Sequence, residues 1–154
     1  LKDIGQLKAG EKLVVSGAAG SVGTIVCQLG KAAGAKVYAI AGGADKCKWL
    51  EEEIGVEKAL DYKSKTFFAD VKKHVGYLDV YFDNVGGDIL DFMLTRLNKD
   101  ARIVLCGAIS QYSASIPTLQ GALLTNAVDA VKPKGLQGYM NLISQRATLR
   151  GFIV

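Results

Sequence analysis

The stretch VVSGAAGSVG, residues 14–23, reads as a short apolar strand that turns on glycine into a helix, and this junction decides the fold. The strand spans residues 12–16. Beyond the turn, Val22, Ile25, Val26, Leu29 and Ala33 recur at helical spacing, which predicts an apolar face lying on a sheet, and Gly34 closes the helix. Where a strand hands over to a helix, the N–H groups of the turn and the positive end of the helix face one point, a favourable place for a pyrophosphate. Gly20 allows close approach of the backbone to such a group, and Gly23 allows the helix to pack tightly on the strand. Ala18 stands where the usual GxGxxG has its first glycine. Alone the turn is weak evidence, because a plain tight turn has the same composition.

Working outward, short apolar runs alternate with segments of helical period. Strand two spans 36–41. A helix runs from about Asp45, taken as its N-cap, to Ile54 and stops at Gly55. Strand three is 58–61. Phe67, Phe68, Val71 and Val75 mark a third helix; strand four is 78–82, helix four 89–97 and strand five 101–105. Residues 111–135 are broken by Pro117, Gly121, Pro133 and Gly135, although 122–131 has helical composition. A last helix over 140–146 leads to strand six, 148–154. The expectation is an α/β Rossmann fold, a doubly wound six-stranded parallel sheet with helices on both faces. Its order 3-2-1-4-5-6 leaves a ligand crevice above strands one and four.

Composition narrows the class. A chain of 154 residues, 49% hydrophobic, with 18 glycines and only 2 prolines, suits one compact domain with many tight turns. Cys27, Cys47 and Cys106 lie far apart and His74 is the only histidine, so no protein-only zinc site is expected; the thiols read as reduced core residues of a cytoplasmic protein. The +4 charge comes from scattered lysines, which argues against a nucleic-acid stripe and suits a small anion. No apolar run reaches membrane-spanning length. Because the sequence opens at Leu1 and stops at GFIV inside an expected strand, residues 1–154 read as a domain excised from a longer protein.

The end of strand two bears on which cofactor fits. An acid about 20 residues after the glycine turn normally holds the ribose hydroxyls of NAD. Here those positions are Ala41, Gly42 and Gly43, followed by Lys46 and Lys48, which favours the 2′-phosphate of NADP. A solvated helix face is the plain alternative for the lysines, and Asp45 is the rival, an NAD-type acid displaced by a few residues. Two further segments, DNVGG at 83–87 and CGAISQY at 106–112, close strands four and five on the same rim; Asp83 and Asn84 also suit a turn and helix cap. No GxxxxGK[ST] occurs and no tyrosine has a lysine four residues on, which excludes a P-loop and the YxxxK pair. Cys106 has no basic neighbour in sequence and reads as packing rather than as a nucleophile.

Together, VVSGAAGSVG, AGGADKCKWL, LDYK, VYFDNVGG and RIVLCGAISQY resemble the zinc-independent medium-chain dehydrogenase/reductases of the prostaglandin reductase branch, with residues 113–138 matching poorly. The resemblance implies NADP as cofactor, with no metal. It places Gly20, Ser21, Val22 and Gly23 at the pyrophosphate and Lys46 and Tyr62 at the 2′-phosphate. Asn84, Cys106, Gly107, Ala108, Ile109, Ser110 and Tyr112, with Phe152, Ile153 and Val154, are placed along the adenosine ribose and nicotinamide. Tyr112 is the implied catalytic residue, its hydroxyl facing a developing enolate. The implied reaction is hydride transfer from NADPH to the C=C bond of an α,β-unsaturated ketone or aldehyde. The GroES-like domain that normally completes the cleft is absent from the sequence, so the chain by itself is expected to be inactive, and a homodimer through a sheet edge is an open expectation. A non-catalytic dinucleotide sensor, a quinone oxidoreductase of the same superfamily and, more weakly, a zinc alcohol dehydrogenase remain as alternatives.

Overall fold

The computed structural model describes residues 1–107 and 135–152. Six strands run parallel in one sheet, in the order β3-β2-β1-β4-β5-β6. They are β1 (Lys12–Val15), β2 (Lys36–Ala41), β3 (Lys58–Asp61), β4 (Leu78–Asp83), β5 (Leu97–Leu105) and β6 (Thr148–Gly151). The helices are α1 (Ser21–Ala32), α2 (Ala44–Trp49), which continues as a π-helical segment over Leu50–Ile54, α3 (Phe67–His74), α4 (Gly87–Leu94) and α5 (Met140–Ser144).

The sheet is covered on both sides, which is why its strands read as nearly unbroken apolar runs rather than as alternating ones. Leu13 and Val15 face a cluster with Val26 and Cys27 of α1 and Cys47 of α2. Val14 and Tyr81 face the other cluster, with Val71 of α3 and Met93 and Leu94 of α4; Leu142 of α5 packs against it. The expected strand order, and with it the crevice between the ends of β1 and β4, is what the chain adopts.

Four local expectations need correction. Of the apolar residues of α1 expected on the sheet, Val26 packs there, but Val22, Ile25 and Leu29 do not, being 47%, 58% and 55% exposed. The buried residues are Gly23, Val26, Cys27 and Gly30. Small residues let the helix sit close to the strands, and that proximity replaces bulk as the source of contact. Asp45 is not an N-cap; Gly43 holds that place with φ 101°, and Asp45 lies in the first turn of α2. Helix α4 ends at Leu94, and Leu97 already pairs with Leu78, so β5 begins four residues before the expected Ala101. Strand β6 ends at Gly151, with Phe152 still described beyond it; the last two residues of the expected strand, like the expected helix over 122–131, lie outside the described residues.

An arginine ties the amino-terminal segment to β5. Arg102 donates to the carbonyls of Gly5 and Gln6 and, through Nη1, to Glu11 Oε1 at 3.0 Å. Burial raises the Glu11 carboxyl pKa, but the bonds from Arg102 and from the Lys8 N–H, with the charges of both residues, outweigh it and hold the group below its ordinary value.

Candidate functional site: a cleft at the carboxyl ends of the strands

The glycine turn is built from the backbone. Gly17, with φ 59°, turns the chain out of β1, and a Cβ there would stand 3.3 Å from Asn84 Cβ. Ala18 is fully buried and its N–H donates to the Ile40 carbonyl at 3.0 Å. Gly20 is the N-cap of α1, and no side chain caps that turn. The first N–H groups of a helix have no intrahelical acceptor, so this end remains open to an anionic acceptor. Gly23 lies against the turn itself: a Cβ there would come within 2.3 Å of the Gly17 carbonyl oxygen.

Across the switch point a fully buried carboxylate fixes the second wall. Asp83 Oδ1 accepts from Ser16 Oγ at 2.7 Å and from the Tyr81 hydroxyl at 2.9 Å. The N–H groups of Val85 and Gly86 donate to the same carboxylate, the former on Oδ1 and the latter on Oδ2. The turn reading of Asp83 is therefore the correct one. Asn84 is held in turn by β1, its N–H donating to Ser16 Oγ at 2.9 Å and its Nδ2 to the Ser16 carbonyl at 2.7 Å. Burial, then the charge of Asp83, pushes the Tyr81 hydroxyl well above its ordinary pKa. Tyr81 thus stays a donor to the carboxylate.

Between these walls lies a cleft of about 790 Å³ lined by Gly17, Ala19–Gly23, Ile40–Gly42, Lys46, Tyr62, Lys63, Asn84–Gly86, Asp88 and Ile89. Seven of the residues singled out in the sequence meet there: Gly20, Ser21, Val22, Gly23, Lys46, Tyr62 and Asn84. Of the two rivals after β2, Lys46 lines the cleft and Asp45 does not. Tyr62 lies over the end of β2, so that a Cβ on Gly42 would be 2.8 Å from its ring. Lys63 was missed in the sequence, although it directly follows Tyr62 at the end of β3 on the same rim. Asp88 is the only acid among the described lining residues, which include two lysines.

Cys106, Gly107 and Phe152 do not line this cleft. They stand beside it: the N–H groups of Cys106 and Gly107 donate to the Asp83 carbonyl at 2.8 and 3.2 Å. The Phe152 N–H donates to the Leu105 carbonyl, and its ring meets Phe82 edge-on at 6.0 Å. Burial, then Asp83, raises the Cys106 thiol, and burial pushes Cys27 up to about 12. Neither is an activated nucleophile. Ala108, Ile109, Ser110, Tyr112, Ile153 and Val154 lie outside the described residues.

The sheet order, the glycine turn and the cleft at the switch point define a Rossmann-type α/β domain. Residues 21–153 match the family model described as zinc-binding dehydrogenase, and the chain belongs to this family, the medium-chain dehydrogenase/reductases. It is 44% identical over 116 residues to the NADPH-dependent curcumin reductase of Escherichia coli (strain K12), covering 75% of this chain and 34% of that protein. It is 40% identical over 143 residues to prostaglandin reductase 1 of Bos taurus, covering 91% of this chain and 42% of the relative. Among solved structures, CurA of Vibrio vulnificus in complex with NADPH superimposes with a TM-score of 0.82 at 38% identity, over 98% of this chain and 42% of that one. The chain thus spans well under half the length of these relatives.

Proposed function

We propose that this chain is the NADP(H)-binding domain of an oxidoreductase that reduces the C=C bond of α,β-unsaturated ketones or aldehydes. The observation that carries the cofactor is the meeting of Lys46, Lys63 and Tyr62 in the same cleft as the uncapped start of α1, with Ala41 ending β2 and Gly42 and Gly43, rather than an acid, following it in sequence. A dinucleotide fits these residues. Backbone N–H groups at Gly20–Gly23 would receive the pyrophosphate, and two lysines would offset the dianionic 2′-phosphate. The reaction is suggested by relatives whose names are curcumin reductase and prostaglandin reductase. When bound, NADPH supplies the hydride for the β-carbon of the enone. The chain's own part is to hold and orient. Asn84, fixed by Ser16, would flank the ribose and nicotinamide side, and the family resemblance would put the segment Cys106–Tyr112 there too, with the Tyr112 hydroxyl as the hydrogen-bond donor to the enolate oxygen. Among the described residues no group of three or more His, Cys, Asp or Glu could hold a metal ion, and in this reading a further domain would supply the other wall of the substrate cleft, so the chain alone should turn over little.

Trp49, the only tryptophan, follows Lys46 by one helical turn and is 40% exposed. Titrating its fluorescence with NADPH and with NADH should show preference for NADPH, and Lys46→Ala should remove most of that preference. Equal response to both cofactors in the unmodified chain would exclude the 2′-phosphate assignment. For the substrate class, saturation-transfer NMR with NADP⁺ present should favour an enone over a saturated ketone. A stronger response from a quinone would move the reading to a quinone reductase.

A further inference from the structure

Asp61 ends β3 in register with Ala41, the last residue of β2. A carboxylate at this rim of a Rossmann sheet would be unfavourable beside a phosphate, since like charges repel. Yet Asp61 does not line the cleft. Its Oδ1 accepts the Gly43 N–H and the Lys63 N–H, each at 2.9 Å. These two donors belong to different loops. Gly43 is the N-cap of α2, the helix whose third residue is Lys46. Lys63 follows Tyr62, whose own N–H donates to the Ala41 carbonyl at 3.1 Å and whose ring lies against Gly42. One oxygen therefore joins the turn that presents Lys46 to the turn that presents Tyr62 and Lys63.

We infer that Asp61 is a positioning residue for cofactor choice: its Oδ1 sets the spacing between the β2–α2 and β3–α3 turns, and thereby the geometry with which Lys46, Tyr62 and Lys63 meet a 2′-phosphate. The inference rests on the NADP reading above. What matters is the place of the oxygen rather than the charge. The two N–H groups hold the carboxyl below its ordinary pKa, so it is a fixed acceptor throughout the neutral range. A ligand without the 2′-phosphate makes no use of this spacing and is indifferent to it.

The test compares Asp61→Asn with Asp61→Glu in the 154-residue chain, measuring dissociation constants for NADPH and NADH by Trp49 fluorescence alongside melting temperature. Asn keeps an acceptor oxygen at the same reach without the charge; Glu keeps the charge but moves the oxygen by one methylene. Asp61→Glu should weaken NADPH roughly tenfold, the factor of one lost charge-assisted hydrogen bond, with NADH changed less than about twofold. Asp61→Asn should retain most of the preference. Loss in Asn with retention in Glu, or a parallel loss of both cofactors that follows melting temperature, would overturn the positioning role. A wild-type chain with no NADPH preference overturns the NADP reading and this inference with it. Wild-type preference that survives Asp61→Glu but falls in Lys46→Ala sinks only the role of Asp61.

Discussion

Gly23→Ala and Gly20→Ala should separate folding from binding within one turn. A methyl on Gly23 would come within 2.3 Å of the Gly17 oxygen, 2.7 Å of Ala18 Cα and 2.9 Å of the Gly17 carbonyl carbon. All three neighbours are backbone, so no rotamer change relieves the clash. Restoring an ordinary separation of about 3.5 Å requires α1 to move outward by roughly 1 Å, and a gap of that size forfeits about a quarter to a half of the dispersion at each facing atom pair. Val26 and Cys27, buried at 6% and 0% exposure, are the side chains that lose contact. Overpacking of this kind costs about 3 kcal/mol, and the better helix propensity of Ala returns about 1 kcal/mol. The net loss of about 2 kcal/mol corresponds to a melting temperature lower by roughly 4–8 °C in a domain of this size. At Gly20 a methyl meets only the Gly17 oxygen, at 3.3 Å, and the backbone is extended with φ −81°. Gly20→Ala should therefore cost less than about 1 kcal/mol, yet weaken NADPH at least tenfold by standing where the backbone must approach the pyrophosphate. Gly30→Ala is the control: its Cβ would be 2.5 Å from Leu13 Cδ2 and 3.0 Å from Val37 Cγ2, both side-chain atoms rather than backbone. Urea unfolding followed by circular dichroism, paired with Trp49 titration, reads both quantities. A Gly23→Ala chain as stable as wild type, or less damaged than Gly30→Ala, would refute the steric reasoning.

Ser16→Ala removes a donor to the buried Asp83 and the acceptor of the Asn84 N–H, so urea unfolding should show a loss of about 2–3 kcal/mol, with weaker cofactor binding because Asn84 keeps only the bond from its Nδ2 to the Ser16 carbonyl. Tyr81→Phe removes only one donor and should cost about 1 kcal/mol with binding unchanged. Glu11 has a carboxyl pKa lowered in the folded chain, so its stabilisation is complete above the unfolded value and is lost as pH falls through the folded one. Glu11→Gln should be less stable by about 1 kcal/mol at neutral pH, discounted for solvent screening. In urea titrations the difference from wild type should shrink as the pH falls below the ordinary glutamate range and through the folded value.

The sheet was legible because fully covered parallel strands leave long apolar runs between glycine stops, and β2 and β3 fall on their expected bounds. Lys46 and Tyr62 were legible for a related reason: once the strand ends are known, residues just beyond them share a rim. The packing face of α1 was not. Helical periodicity selects the most apolar stripe, here Val22, Ile25 and Leu29, whereas the face on the sheet is one residue later, about 100° around the helix. Gly23 and Gly30 carry no hydrophobic signal, and their value is proximity. The end of α4 was hidden because Leu97 continues the spacing of Ile89, Leu90, Met93 and Leu94, with no glycine or proline to mark the stop. In the second helix Leu50 is fully buried while its neighbour Trp49 is 40% exposed, because consecutive residues stand about 100° apart around the helix.

The same device recurs at the ends of β3 and β4, and it explains the charge of the cleft. Asp61 and Asp83 each finish a strand on the rim where a dinucleotide would lie, and from sequence either could pass for a cofactor contact. In the fold each turns its carboxylate onto backbone N–H groups, Gly43 and Lys63 for Asp61, Val85 and Gly86 for Asp83. Bound in this way, the two carboxylates shape the turns instead of facing the cleft. Lys46 and Lys63 are then opposed on the described lining by Asp88 alone. On the proposed role of Asp61, preference for a phosphorylated ribose would depend on that aspartate as well as on the two lysines. Replacing a lysine removes attraction, whereas moving an aspartate's oxygen misplaces attraction that is still present. Only the second kind of change can destroy cofactor preference while leaving the charge of the protein untouched.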